Sequence, residues 1–150
     1  MIPRKIEEAF NTQINEELYS AYLYQAMSVD FAAKGMAGMA NWMAVQALEE
    51  MSHAKKFQDH IIERGGTVEL HAIEKPQKAW ETPLAAFEAA LAHEQHITSC
   101  INDLVDLGIA GKDHASKSLL QWFVDEQVEE EDTANENIDK LKMIGDSTGA

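Results

Sequence analysis

The feature that most constrains this chain is its punctuation. Eight glycines fall in four places (Gly35 and Gly38, Gly65 and Gly66, Gly108 and Gly111, Gly145 and Gly149), and the prolines stand at Pro3, Pro76 and Pro83. Between these breakers lie long segments rich in Ala, Leu, Met, Glu, Gln and Lys, the strong helix formers. The punctuation predicts helices at about 4–34, 38–65, 83–109 and 114–144. Pro3 and Pro83 suit first-turn positions, Thr82 suits an N-cap, and Gly65 and Gly145 suit C-terminal stops. Alternating β-branched runs are absent, so the expected class is all-α, one domain over 1–150.

Each segment carries an apolar stripe at helical spacing. The stripes read Phe10, Ile14, Glu17, Ala21, Tyr24, Phe31; Met43, Gln46, Glu50, His53, Phe57, Ile61; Leu84, Phe87, Leu91, Glu94, Thr98, Ile101, Val105; and Leu120, Phe123, Gln127, Glu130, Ala134, Leu141. Four long helices sharing one apolar interior make a four-helix bundle. The first and third connections are short and predict two antiparallel hairpins. The middle one, 66–82, reaches ~50 Å when extended, against ~45 Å for a 30-residue helix. It is therefore long enough to cross over along the whole bundle. A shift of 77 positions maps Phe10 to Phe87, Ile14 to Leu91, Glu17 to Glu94, Met43 to Leu120, Glu49 to Glu126, Glu50 to Gln127 and His53 to Glu130. The two hairpins read as an internal duplication.

Every stripe is interrupted by an acid near its middle: Glu17, Glu50, Glu94 and Glu130. His53 lies one turn from Glu50 and Gln127 one turn from Glu130, on the same faces. No Lys or Arg stands in any stripe. Buried unpaired carboxylates cost several kcal/mol each, so a cluster of them calls for cations. Carboxylates with one imidazole suit iron, manganese or zinc. The charge of four carboxylates balances two divalent ions, or two trivalent ions bridged by an oxide, and that favours iron.

At these residues the chain resembles the bacterial non-haem ferritins. The pattern Glu17…Tyr24…Glu50-Met-Ser-His53…Glu94…Gln127-Val-Glu-Glu130 is similar to their ferroxidase centre and spans all four segments. The resemblance implies a ferritin-like bundle in which Glu17 and His53 bind one iron, Glu50 bridges, and Glu94 and Glu130 bind a second. It places Gln127 in the metal-site set and Tyr24 beside it, so that Tyr24, Glu50 and Gln127 serve the oxidation; Trp122 also matches a family position. It further implies a third iron site at Glu49, Glu126 and Glu129, a shell of 24 identical subunits, and storage of ferric mineral after oxidation of Fe²⁺ by O₂ or H₂O₂. The second half carries Gln-x-x-Glu where symmetric di-iron bundles repeat Glu-x-x-His. No haem is expected, although Met51 follows the bridging glutamate. The alternatives are a di-iron peroxidase or oxygenase, and a non-catalytic metal buffer.

The remaining expectations are negative or local. With 12 Lys and Arg against 26 Asp and Glu, a formal charge of −14 disfavours nucleic acid and anionic membranes as partners. One cysteine and no leader-like or membrane-spanning run suit a cytoplasmic protein. His93-Glu-Gln-His96 lacks the zinc-protease spacing, since Ile97 stands where the second histidine would be needed. Cys100, His60, His71, His96 and His114 have no decisive sequence context. Leu18, Tyr22 and Val29 lie off the first stripe and call for cover by another subunit. Gly145-Asp-Ser-Thr-Gly-Ala150 reads as a turn-like tail too short and polar for the short fifth helix of ferritins, which leaves a fourfold opening unplugged.

Overall fold

The computed structural model describes residues 1–145. It contains four helices: α1 (Arg4–Ala33), α2 (Ala37–Glu63), α3 (Pro83–Ala110) and α4 (His114–Gly145). Among the described residues there is no strand. The helix ends lie within two residues of the spacing-based expectation, and their caps explain them. Thr82 precedes α3, its Oγ1 accepting from the Ala85 amide at 3.0 Å, with Pro83 opening the helix. Gly65, at φ +80°, ends α2 with the Gly66 amide returning to the Ile61 carbonyl; only a residue without Cβ adopts that conformation freely. Two punctuation marks act differently from expectation. Pro3 caps α1 in an extended conformation instead of lying in its first turn. Gly145 is helical, so it does not stop α4. The rest of the polar tail, 146–150, and with it the question of a fifth helix, lies outside the described residues.

Contacts along the bundle fix the topology. Helices α1 and α3 run antiparallel, because Glu16 meets His96, Tyr24 meets Glu94 and Phe31 meets Phe87. Helices α2 and α4 do the same, from Gln46–Glu130 at one height to His60–Ser116 at another. With the two short hairpin turns, this makes α2 and α3 parallel, as a full-length crossover requires.

That crossover is fastened to α1 in register. Asn11 donates to the Thr67 carbonyl and accepts from the Glu69 amide, Asn15 donates to the carbonyls of His71 and Ala72, and Asp30 accepts from the Trp80 amide. Lys34 closes the far end by bonding Asp30 and the Trp80 carbonyl. These side chains stand in for the backbone partners that an extended segment on a helix lacks.

The core has two apolar layers. One contains Met27, Phe31, Met43, Trp80, Phe87 and Ile138; the other contains Phe10, Ile14, Phe57, Ile61, Ile101, Leu120 and Phe123. The α3 stripe is rotated from the expected one. Ala86, Ala90, Ile97 and Leu104 are buried, whereas Leu84, Leu91, Thr98 and Val105 are only partly covered. Small residues let α3 approach its neighbours, and the larger ones flank the contact. Between the layers lies a polar stratum.

Candidate metal centre

All four helices contribute to that stratum. Glu17, Glu50, His53, Glu94 and Gln127 are at most 3% exposed and Glu130 is 9% exposed. The expected residues converge. Glu17, Glu50 and His53 bring three potential ligand atoms within 4.8 Å of one another, and so do Glu50, Glu94 and Glu130. Glu50 belongs to both groups. His53 Nδ1 stands 3.1 Å from Glu50 Oε2 and 3.8 Å from Glu17 Oε2. No lysine or arginine is among the buried described residues.

Neutral donors orient the carboxylates. Tyr24 donates to Glu94 Oε1 at 2.7 Å, and Gln127 Nε2 contacts Glu94 Oε2, the Glu94 carbonyl and Thr98 Oγ1, each at 3.1 Å. Gln46 donates to Glu130 Oε2 at 2.6 Å, and Gln13 to Glu17 Oε1 at 3.1 Å. The roles of Gln13 and Gln46 were absent from the sequence-based site. Each stands one turn before the glutamate whose helix it shares or faces: Gln13 precedes Glu17 and Gln46 precedes Glu50. A glutamine at that interval is the signal that could have found them. Trp122 packs edge-on to His53 at 5.3 Å between ring centres, and Lys56 sits 4.2 Å above the indole.

Two oxygens have no donor at all: Glu17 Oε2 and Glu50 Oε1, both fully buried. A buried carboxylate oxygen without a partner is costly, and a cation removes the cost. The titration behaviour agrees. Burial, followed by repulsion from Glu94 and Glu17, pushes the Glu50 carboxyl well above its ordinary range. Burial also raises Glu94, and burial with Glu94 and Glu126 pushes Glu130 up to about 8. Burial works against a charged His53, but the Glu17 and Glu50 carboxylates outweigh it and hold the imidazolium up to about 11. Burial, followed by Glu94, Glu50 and Glu130, raises the Tyr24 phenol. Without metal the arrangement retains protons where metal charge would replace them. Carboxylate and imidazole donors, paired groups and donorless oxygens together fit two borderline-hard cations.

Of the third expected group, Glu126 alone stands in a cluster of potential ligand atoms among the described residues. Glu126 joins His53 and Glu130 within 4.8 Å. Glu49 and Glu129 are exposed and join no such group of three among the described residues. Each stands one position from a buried candidate ligand along the helix, which turns it toward solvent.

On the opposite side of α1, Leu18, Ala21, Tyr22, Ala44, Ala47, Leu48 and Met51 line an apolar hollow of about 480 Å³. Tyr22 and Val29 are 50% and 58% exposed in the isolated chain, as their off-stripe positions require. No helix among the described residues is long and apolar enough to cross a membrane.

Residues 7–144 match the ferritin family, described as a ferritin-like domain. The chain is 44% identical to a bacterial non-heme ferritin of Bacteroides fragilis, over 98% of this chain and 92% of that protein. It is 35% identical to one from Staphylococcus aureus, over 100% and 90% respectively. Among solved structures, an open pore ferritin from the archaeon Archaeoglobus fulgidus superimposes with a TM-score of 0.96 at 48% identity, covering 98% of this chain and 91% of that one. A closed form of that ferritin, engineered by site-directed mutagenesis, gives 0.96 at 47%, covering 99% and 90%.

Proposed function

From the premise that the chain belongs to the ferritin family, we propose that it stores iron, and that it oxidises Fe²⁺ at the buried centre before depositing ferric mineral inside a hollow homo-oligomer of 24 subunits. The observation that carries this reading is the pair of buried ligand groups sharing Glu50, with two carboxylate oxygens that nothing else satisfies.

In this reading iron is the substrate. Glu17 and His53 hold one ferrous ion, Glu94 and Glu130 hold the other, and Glu50 bridges. O₂ or H₂O₂ accepts one electron from each ion. The chain's own residues keep the ligands in place: Gln13 ties one oxygen of Glu17 and leaves the other free, Gln46 holds Glu130 Oε2, and Tyr24 and Gln127 steady Glu94. Preset carboxylates stabilise the higher charge of Fe³⁺ without reorganising when it forms. The second ion has only oxygen ligands, with Glu130 where a symmetric centre would place a second, softer histidine, which suits a place that passes iron onward. Glu126, already beside Glu130, with Glu49 and Glu129 on the adjoining surface, provides a weaker third site on the approach to the centre.

Iron loading tests this reading. Fe²⁺ added under air or with H₂O₂ should be oxidised rapidly and then accumulate far beyond two ions per chain in particles of uniform size. Uptake that stops at two ions would favour a di-iron oxygenase or peroxidase, and binding without oxidation a metal buffer. Ultracentrifugation of the metal-free protein tests the shell, since a stable dimer with no larger species would rule it out. The solved relatives are described as open pore and engineered closed forms, so electron microscopy of that shell should also measure its openings.

A further inference from the structure

A second cluster of metal-binding side chains lies on the seam between α1 and α3, outside the buried centre. His96 and Cys100 stand one turn apart on α3, and Glu16 reaches across from α1. His96 Nε2 is the common point: it is 3.1 Å from Glu16 Oε2 and 3.5 Å from Cys100 Sγ. The three potential ligand atoms all lie within 4.8 Å of one another. None of the three belongs to the stratum described above, and none is used by the proposed iron chemistry.

We propose that Glu16, His96 and Cys100 form a separate site for a single thiophilic divalent cation of the zinc type. The His96–Glu16 and His96–Cys100 separations are those of a tetrahedron's edges. Zinc bonds of ~2.3 Å to sulfur and ~2.0–2.1 Å to nitrogen and oxygen place ligand atoms about 3.5 Å apart for S···N and about 3.3 Å apart for N···O. The side chains are therefore close to the spacing a bound ion imposes, before any ion arrives. The i, i+4 interval on α3 supplies two ligands from one rigid element, and the α1–α3 packing supplies the third.

Donor type separates this site from the buried one. The buried stratum offers oxygen and a single imidazole, which favour iron and manganese; a sulfur, a nitrogen and an oxygen together favour zinc and other borderline-soft ions. The local field is also suitable. Burial, followed by the carboxylates of Glu16, Asp103 and Glu17, pushes the Cys100 thiol up to about 11, and that same negative field attracts a cation able to displace the thiol proton. Binding forms the metal–sulfur bond and releases that proton to solvent. Three protein ligands leave a fourth position for water, because His93, the other imidazole on this face, is engaged with Ser20 Oγ at 2.6 Å. His96 and Glu16 are partly exposed, so the ion has direct access.

Cobalt(II) chloride added to the full-length metal-free protein under reducing conditions tests the proposal, because Cys100 is the only cysteine. A thiolate-to-cobalt charge-transfer band in the near ultraviolet should grow to one equivalent per chain and be displaced by zinc. The band should persist in Glu50→Ala, vanish in Cys100→Ser, and require more cobalt in His96→Ala and in Glu16→Gln. Absence of the band in the unaltered protein at saturating cobalt would overturn the proposal. So would an unchanged titration in His96→Ala and Glu16→Gln, which would reduce the signal to a lone thiol. Circular dichroism of each variant separates loss of ligand from loss of fold.

Discussion

Glu130→Gln in metal-free protein offers a direct measure of how strongly the carboxylates of the centre oppose folding without metal. A carboxyl ordinarily near 4.5 is pushed to about 8 here, chiefly by burial and then by Glu94. Between those values the folded chain holds a proton that the unfolded chain has lost, so each pH unit of increase lowers stability by about 1.4 kcal/mol. From pH 5 to pH 8 this amounts to about 4 kcal/mol as a ceiling, a large share of a domain's ~5–15 kcal/mol. Glutamine imitates the protonated acid and still offers an oxygen to Gln46. The variant should match the parent near pH 5 and exceed it increasingly towards pH 8. His53 acts in the same direction in a higher window, from 6.5 to about 11, so part of the decline should persist in the variant above pH 6.5. Urea midpoints of chelator-treated protein at half-unit intervals give the comparison. Parallel curves for the two proteins, or a flat parent curve, would refute the claim that proton retention at Glu130 stabilises the metal-free protein.

Three further outcomes are expected. Glu50→Ala should fold and is distinguished by stopped-flow absorbance: loss of outer partners alone costs about 10–100-fold, so removing the shared ligand should slow Fe²⁺ oxidation by more than about a hundredfold. Tyr24→Phe leaves Glu94 Oε1 without its donor and should cost about 1–3 kcal/mol in the metal-free protein, measurable by denaturant melts, together with altered oxidation kinetics. Asp30→Ala removes the partners of the Trp80 amide and Lys34 and should cost about 1–3 kcal/mol; limited proteolysis should then cut the crossover near Trp80 faster, with the helices still protected.

The helices and the interior acids were legible because one period governs both. An acid at the position where the 3.6-residue repeat demands an apolar side chain is conspicuous, and four such interruptions at mid-helix identify a common level. Helix α3 was misjudged by about one position because side-chain size was read as burial. Ala86 and Ala90 are at the closest contact, and Leu84 and Leu91 lie to its sides. The crossover left no periodic trace, because Asn11, Asn15 and Asp30 hold it through irregular side-chain-to-backbone bonds. The same limit concealed the Glu16–His96–Cys100 group. Its members sit on two helices whose relative rotation is set by packing, and no interval in the sequence encodes that rotation.

The division of the buried candidate ligands between the hairpins has a consequence for how the chain matures. Glu17, Glu50 and His53 all come from α1 and α2, whereas Glu94 and Glu130 come from α3 and α4 and need Glu50 to complete their group. The first hairpin is thus a self-sufficient half-clasp and the second is not. An ion captured by the first half presents a charged hook to the acids of the second, and docking the two closes the clasp. Iron supply then becomes a checkpoint on construction: a chain split within the crossover should reunite more readily with metal than without it, because the cargo doubles as the rivet.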